Sequence, residues 1–292
     1  MQIFLESIGF GLVTASVIAI AAVGLTVQFG ITNFINFAYG DYLTFGAYMG
    51  YLANGPFHQN IVVSLIAAAV ATGLFALLVN EFVFQPFLRD KPRLVIMLIV
   101  TVGISLIMEN TLQIIFGPGF YTYTGLPSAT LSNVGPFIFS GTQLVVIAVA
   151  VVALVAVHLL LQFTKLGTAM RAMSDSESLS RASGINVTQV TRATWMLSGV
   201  LAGIGGVVLT LNLNTIQPTS GVLFVFVVFA AVIMGGIGRP FGAMFAALVI
   251  GVVTEVSGSY MDAAYKQAIA FGILVLVLIV RPNGLFAARG RH

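Results

Sequence analysis

Read from its first residue, the chain is a succession of long apolar runs with short polar interruptions. The runs cover about 5–29, 31–54, 60–84, 94–116, 142–163, 193–212, 220–237, 241–257 and 267–280. Most of them approach the roughly 20 residues that an α-helix needs to cross a hydrocarbon core about 30 Å thick. The pattern predicts an all-α fold, a polytopic transmembrane helical bundle of eight or nine spans. The first run lacks a basic leading region and a small-residue cleavage pattern, and further apolar sequence follows at once, so it reads as a retained span. The second run differs from the rest. "FGITNFINFAYGDYLTFGAYMGY", Phe29 to Tyr51, carries two amides and a carboxyl where a lipid-facing helix would carry none.

Charge then orients the bundle. Only 7% of the residues are charged against 59% hydrophobic, and the net charge is +3. The charges occupy short loops, where Lys and Arg report orientation rather than nucleic-acid binding. All Lys and Arg except Lys266 fall in four clusters: Arg89, Lys91 and Arg93; Lys165, Arg171, Arg181 and Arg192; Arg239; and Arg281, Arg289 and Arg291. Cytoplasmic clusters must be separated by an even number of spans, and the apolar runs satisfy this, which places the C-terminus in the cytoplasm. Nine spans put the N-terminus outside; a re-entrant or broken opening stretch gives eight and puts it inside. The uncharged, proline-containing segment Gly117–Gly141 becomes an external loop, and Lys266 has Asp262 four residues before it as a helical partner. The absence of cysteine excludes disulfides, thiol nucleophiles and thiolate metal sites, and His58, His158 and His292 are too dispersed to suggest a ligand pair. No metal or cofactor is expected.

No domain boundary interrupts residues 1–292, which read as a single transmembrane domain. Small residues four apart (Gly199 with Gly203, Ala202 with Gly206, Ala243 with Ala247 and Gly251) predict close helix packing in lipid. "GGIGRPFG", Gly235–Gly242, lacks the Lys-Ser/Thr of a phosphate-binding loop and reads as a tight turn between spans. The one sizeable hydrophilic segment is 164–192. Ser174 and Glu177 have capping-box spacing, which predicts a short helix over about 174–183. Gly184 would end it in a left-handed conformation, with Ile185 touching Leu179; Asn186 and Gln189 repeat the cap spacing before the next span.

In the polar stretch, Asn33, Asn36 and Gly40 lie at helical spacing on one face, with Phe34, Phe37, Asp41, Thr44 and Tyr48 on a neighbouring one. A second polar stripe, Thr101, Ser105, Glu109 and Gln113, climbs the fourth run, and Glu255 lies at similar depth later. Amides and carboxyls cost a few kcal/mol in hydrocarbon unless they face protein or water, so all should face the bundle interior. They serve either a substrate pathway, for which Asn33, Asn36, Gly40, Asp41, Thr44, Ser105 and Glu109 are the candidates, or interhelical attachment.

The stretches "GLTVQFGITNFINFAYGDYLTFGAY" (Gly24–Tyr48), "TKLGTAMRAMSDSESLSRASGINV" (Thr164–Val187), "VVFAAVIMGGIGRPFGAMFAALVIG" (Val227–Gly251) and "LIVRPNGLF" (Leu278–Phe286) resemble the permease family of ATP-binding-cassette importers for branched-chain amino acids. The likeness is to the first of the two permease types of the leucine/isoleucine/valine system, and it covers essentially the whole chain. It implies a non-catalytic subunit in the bacterial inner (cytoplasmic) membrane that forms half of a translocation pathway for branched-chain or other hydrophobic amino acids. It also implies partners: cytoplasmic ATP-binding subunits, a second related permease, an extracytoplasmic solute-binding protein and the lipid bilayer, with no nucleic acid. In the family, the 164–192 loop is the coupling element; its Glu-Ala-Ala-x-x-x-Gly motif falls on Ser178, Leu179, Ser180 and Gly184, and only the glycine is retained. Ser174, Glu177, Leu179, Arg181 and Gly184 are the coupling candidates. The same architecture importing urea, short amides or another small polar solute is an alternative, and a self-sufficient secondary transporter is a more distant one.

Overall fold

The computed structural model describes residues 2–89, 93–124, 130–134, 137–262, 265–281 and 284–285. The helices are α1 (Gln2–Thr32), α2 (Tyr39–Asn54), α3 (Ile61–Val79), α4 (Gln85–Arg89), α5 (Leu94–Phe116), α6 (Gly141–Phe163), α7 (Lys165–Asp175), α8 (Glu177–Ala182), α9 (Val187–Leu213), α10 (Ser220–Gly235), α11 (Pro240–Tyr260) and α12 (Lys266–Val280). By length and composition, six helical stretches among the described residues can cross a membrane: 6–32, 61–88, 94–116, 141–163, 187–213 and 240–260. Two shorter apolar helices, α10 and α12, join them. The fold is an all-α polytopic bundle, as the run pattern predicts.

One feature departs from that pattern. Thr130–Val134 (β1) pairs antiparallel with Phe137–Ser140 (β2), so the uncharged segment after α5 carries a small hairpin. The β-branched and aromatic residues around Gly135-Pro136 carried a strand signal that the surrounding helical runs obscured. Ser140 ends the hairpin and also caps α6, in a capping box with Gln143.

Helix α9 occupies the middle of the bundle, packed against α1, α2 and α3. The approach is close because glycines face it. A Cβ on Gly199 would stand 2.6 Å from the Ala76 methyl, one on Gly46 would stand 2.5 Å from the Gly203 Cα, and Gly203 and Gly206 press directly on the Ala68 and Leu43 carbonyls. The 199/203 spacing therefore works as read from the sequence, but its partner surface also needs Gly46 and Gly73. Helix α1 runs antiparallel along α11: Ser7 bonds Ser259 (2.6 Å) near one end, Gly251 meets Ala15 midway, and Gly30 lies against Gly238 at the other end. The turn Gly235–Gly242 is tight, with Gly236 and Gly238 at positive φ and Pro240 in the first turn of α11.

Glu255 links three helices. It accepts from Thr14 (3.0 Å) and forms an ion pair with Lys266 (2.6 Å), joining α11 to α1 and α12. This corrects the expected Lys266–Asp262 helical pair: α12 starts only at Lys266, so Asp262 lies before the helix and the amine turns back onto α11. Outward-facing residues such as Ile107, Val152 and Ile279 are about 70% exposed, an apolar exterior suited to lipid.

Candidate functional site

The stretch from Thr32 to Thr44 is not one helix. Asn33 takes a left-handed conformation (φ 54°), and its N–H donates to the Phe29 carbonyl (2.9 Å), closing α1. Residues 33–38 then run irregularly before α2 begins at Tyr39. This overturns the single helical face expected for Asn33, Asn36 and Gly40: Asn33 is exposed, whereas Asn36 and Gly40 are buried. Phe34 and Phe37 likewise leave the face assigned to them. Phe34 packs against Phe84 and Trp195 (centroids 5.4 and 6.4 Å), and Phe37 packs edge-on to Phe229 (5.0 Å). These rings wedge the interruption between the π turn Asn80–Phe84, α9 and α10. The break survives in the membrane because its freed backbone finds protein partners: the Asn36 Oδ1 accepts from the Ala38 N–H (3.1 Å), and the Asn36 carbonyl accepts from the Tyr39 N–H (3.3 Å).

Asp41 follows in the first turn of α2, with none of its surface exposed. The Ser105 hydroxyl of α5 donates to its Oδ2 at 2.5 Å, while its Oδ1 has no partner among the described residues. Glu109 is one turn further along α5, within electrostatic reach of Asp41, and accepts from Gln113 (3.4 Å). The structure thus brings together two candidates far apart in sequence, Asp41 and Ser105, and sets Glu109 beside them.

Gly40 and Thr44 meet a residue that sequence reasoning did not single out. The backbones of Gly40 and Gly221 touch, and a Cβ on Gly40 would lie 2.6 Å from the Gly221 carbonyl. Thr44 Oγ1 accepts from the Gly221 N–H (2.9 Å) in the first turn of α10. Here α10 also begins inside the bundle, after a second irregular segment, 214–219, opened by a left-handed Asn214 (φ 57°). The signal was present in "NLNTIQPTSG", an Asn able to close a helix followed by Pro218 and Gly221, but the adjoining apolar runs masked it. The two interrupted chains pack on each other through α2 and α10, so the polar candidates lie where two helices start within the bundle.

The second candidate region is the segment 164–192. Thr164 caps α7 by accepting from Gly167, and Ser176 caps α8 by accepting from Leu179 (3.3 Å). The cap expected at Ser174 is therefore at Ser176, because α7 continues through Ser174 to Asp175. The end of α8 is as expected: Gly184 has φ 83°, its N–H donates to the Arg181 carbonyl (3.1 Å), and the Ile185 N–H donates to the Ser180 carbonyl (3.0 Å). Ile185 does not accompany Leu179, however. It packs with Met170, Met173 and Val190, leaving Leu179 67% exposed. Asn186 caps α9 through the Gln189 N–H (3.1 Å). Glu177 and Arg181 form an exposed ion pair (2.9 Å) on one face of α8. Below it Arg192 holds Glu81 through two bonds of 2.5 and 3.0 Å, tying α9 to the π turn Asn80–Phe84 that links α3 to α4. So α7 rests on the bundle and α8 projects from it.

Comparison with known proteins identifies the family to which this fold belongs. The family model described as branched-chain amino acid transport system / permease component matches residues 7–278. The chain is 26% identical to the high-affinity branched-chain amino acid transport system permease protein LivH of Escherichia coli, over 97% of this chain and 95% of that one. It is 27% identical to the corresponding protein BraD of Pseudomonas aeruginosa, with the same coverage. Among solved structures, PsaBC from Streptococcus pneumoniae in complex with Fab superposes with a TM-score of 0.52 at 12% identity, covering 94% of this chain and 91% of that one, which is a likeness of fold. With its family model matched from the first helix to the last, the chain belongs to the branched-chain amino acid transport system permease family.

Proposed function

We propose that this chain is the membrane-spanning subunit of an ATP-binding-cassette importer in a bacterial cytoplasmic membrane, supplying half of the pathway for branched-chain or other hydrophobic amino acids. The observation that carries the reading is the projecting, doubly capped α8. A helix of six residues is far too short to be stable alone in water. Its caps, the Schellman ending and the Met170–Met173–Ile185–Val190 cluster beneath it instead fix it as a presented surface. In this reading segment 164–192 receives a cytoplasmic ATP-binding subunit, with Glu177, Leu179, Arg181 and the exposed side of α8 as the contact. A second, related permease completes the pore, and an extracytoplasmic binding protein delivers solute.

Nine spans fit best, with α1, α2, α3, α5, α6, α9, α10, α11 and α12 alternating in direction. The Arg-bearing turns gather at the end that holds α8, and the β1–β2 hairpin is at the other. The N-terminus is then external and the C-terminus cytoplasmic; Arg289 and Arg291, which support this, lie outside the described residues. The end of the interruption and the first turns of α2, Asn36–Thr44, with Ser105 and Glu109, line or gate the pathway.

A second reading within the class keeps the architecture and changes the solute, since 43% of the chain is 32% identical to a ribose import permease of Haemophilus influenzae. Proteoliposomes test both. With ATPase subunits and binding protein present, labelled leucine enters on addition of ATP, and competing solutes define the class. Uptake by this chain alone, driven by an ion gradient, overturns the proposal.

A further inference from the structure

A crevice of about 410 Å³ opens at the end of the bundle that carries α7, between the last turns of α1 and α6 and the turn leading into α11. Its volume lies in the range of ligand sites, about 300–1,000 Å³. Its floor is apolar: Val27 and Ile31 from α1, Leu161 from α6, Met170 from α7 and Phe241 from α11. Its rim is cationic, with Arg171 and Arg239 on the two sides. The Arg171 guanidinium is held in place by Gln162 (3.1 Å) and Thr168 (3.5 Å), and no carboxylate pairs with it among the described residues. Phe241 is 55% exposed, so the apolar side of the crevice reaches the bundle exterior.

We infer that this crevice binds an anionic phospholipid, its phosphate on Arg171 and Arg239 and an acyl chain on the Val27–Ile31–Leu161–Met170–Phe241 floor. Charge complementarity selects the ligand. Guanidinium forks match phosphate oxygens in paired hydrogen bonds, and basic pockets between membrane helices on the cytoplasmic side suit anionic headgroups. A free nucleotide would leave its polar base on an apolar floor, whereas an amphiphile satisfies rim and floor together. Placement in the cytoplasmic leaflet rests on the orientation proposed above; the chemistry of the site does not. Bound lipid would brace α7, and with it α8, against α1 and α11.

The test uses the full chain purified in detergent and titrated with dioleoyl-phosphatidylglycerol or dioleoyl-phosphatidylcholine, with retained lipid read by native mass spectrometry. Phosphatidylglycerol is expected to be retained in preference. R171Q should lower its retention roughly tenfold or more, the loss of one charge-assisted contact, and R171K, which keeps the charge without the fork, should lower it less. G30L addresses the floor independently. A Cβ on Gly30 makes only ordinary contacts (3.4 Å to the Ser174 Oγ, 3.6 Å to the Gly238 Cα), and Gly30 lines the crevice, so the Leu side chain is expected to occupy it and block both lipids, with an unchanged elution profile in detergent checking that the variant stays folded. Equal retention of the two lipids, unchanged phosphatidylglycerol retention in both R171Q and G30L, or full displacement by inorganic phosphate overturns the inference. Such failure leaves ATP-driven uptake untouched, and loss of ATP-driven uptake with lipid retention intact counts against the transport reading alone.

Discussion

Replacing Ser105 by Ala probes the contact between Asp41 and α5. The Asp41 carboxyl is fully buried, its Oδ1 already lacks a partner among the described residues, and its Oδ2 takes the Ser105 hydroxyl at 2.5 Å. Removing the hydroxyl leaves both oxygens without a donor and opens a space too small to repack. A buried polar group that loses its partner costs about 1–3 kcal/mol, roughly a 5- to 150-fold change in the folded-to-unfolded ratio. Asp41→Asn keeps the volume and replaces an acceptor by a donor. The double-mutant cycle with Ser105→Ala should therefore show a coupling of about 0.5–3 kcal/mol, as for residues in direct contact. Reversible unfolding in SDS–detergent mixtures, or steric trapping in bicelles, measures both quantities. A Ser105→Ala variant within about 0.5 kcal/mol of the parent, the range of substitutions away from any special contact, together with no coupling to Asp41→Asn, would refute the argument. It would mean that water or another group serves the carboxyl.

Asn36→Leu removes the acceptor that holds the Ala38 N–H and is expected to leave insertion intact while lowering reconstituted uptake several-fold; loss of insertion with no separate uptake defect would assign Asn36 to attachment alone. Gly184→Ala has free space for its methyl group but must keep φ near 83°, so it should cost α8 about 1–2 kcal/mol, lowering stimulated ATPase activity, with Gly184→Asn restoring part of it. Reversing charge at both Glu177 and Arg181 keeps an exposed pair worth about 0.3–0.5 kcal/mol but sets each charge against the dipole of α8, a cost of about 0.3–1 kcal/mol at each end; unfolding should shift by no more than that, while copurification of ATPase subunits should fall. The chain has no cysteine, so single cysteines at Ser176 and Phe57 are clean probes: the first should label only from the cytoplasm and the second only from outside, Gly125 lying outside the described residues.

Much of the bundle was legible because lipid demands apolar length: the run 94–116 is α5 itself, and the run 142–163 differs from α6 by one residue. The Gly184 ending was legible because left-handed closure needs a particular residue. What failed were inferences that assumed continuity. Asn33, Asn36 and Gly40 have helical spacing, but spacing cannot reveal that Asn33 ends a helix; its own left-handed conformation does that. Ser174 and Ser176 both precede acceptable cap sequences, and the choice between them is made by α7, which runs through to Asp175 and so carries Ser174 in its last turn. Lys266 had two acids within reach of a long side chain, and only the return of α12 against α11 selects Glu255. The Asp41–Ser105 contact spans 64 positions and left no local trace.

The glycine seam between α3, α9 and α2 bears on how such a bundle can move. Where main chains touch without intervening side chains, sliding is quantised. The helical rise is about 1.5 Å per residue, and shifting α2 by one step would bring Phe45 or Ala47 to the place of Gly46, opposite a Gly203 that already presses on Ala68. These three helices are interlocked like a ratchet with no free notch, so any rearrangement that exposes the interior to one side and then the other must carry them as a rigid unit. The pliable joints are then the two irregular segments, 33–38 and 214–219. A protein of this design is expected to bend at its interruptions, where the helical ladder is already open.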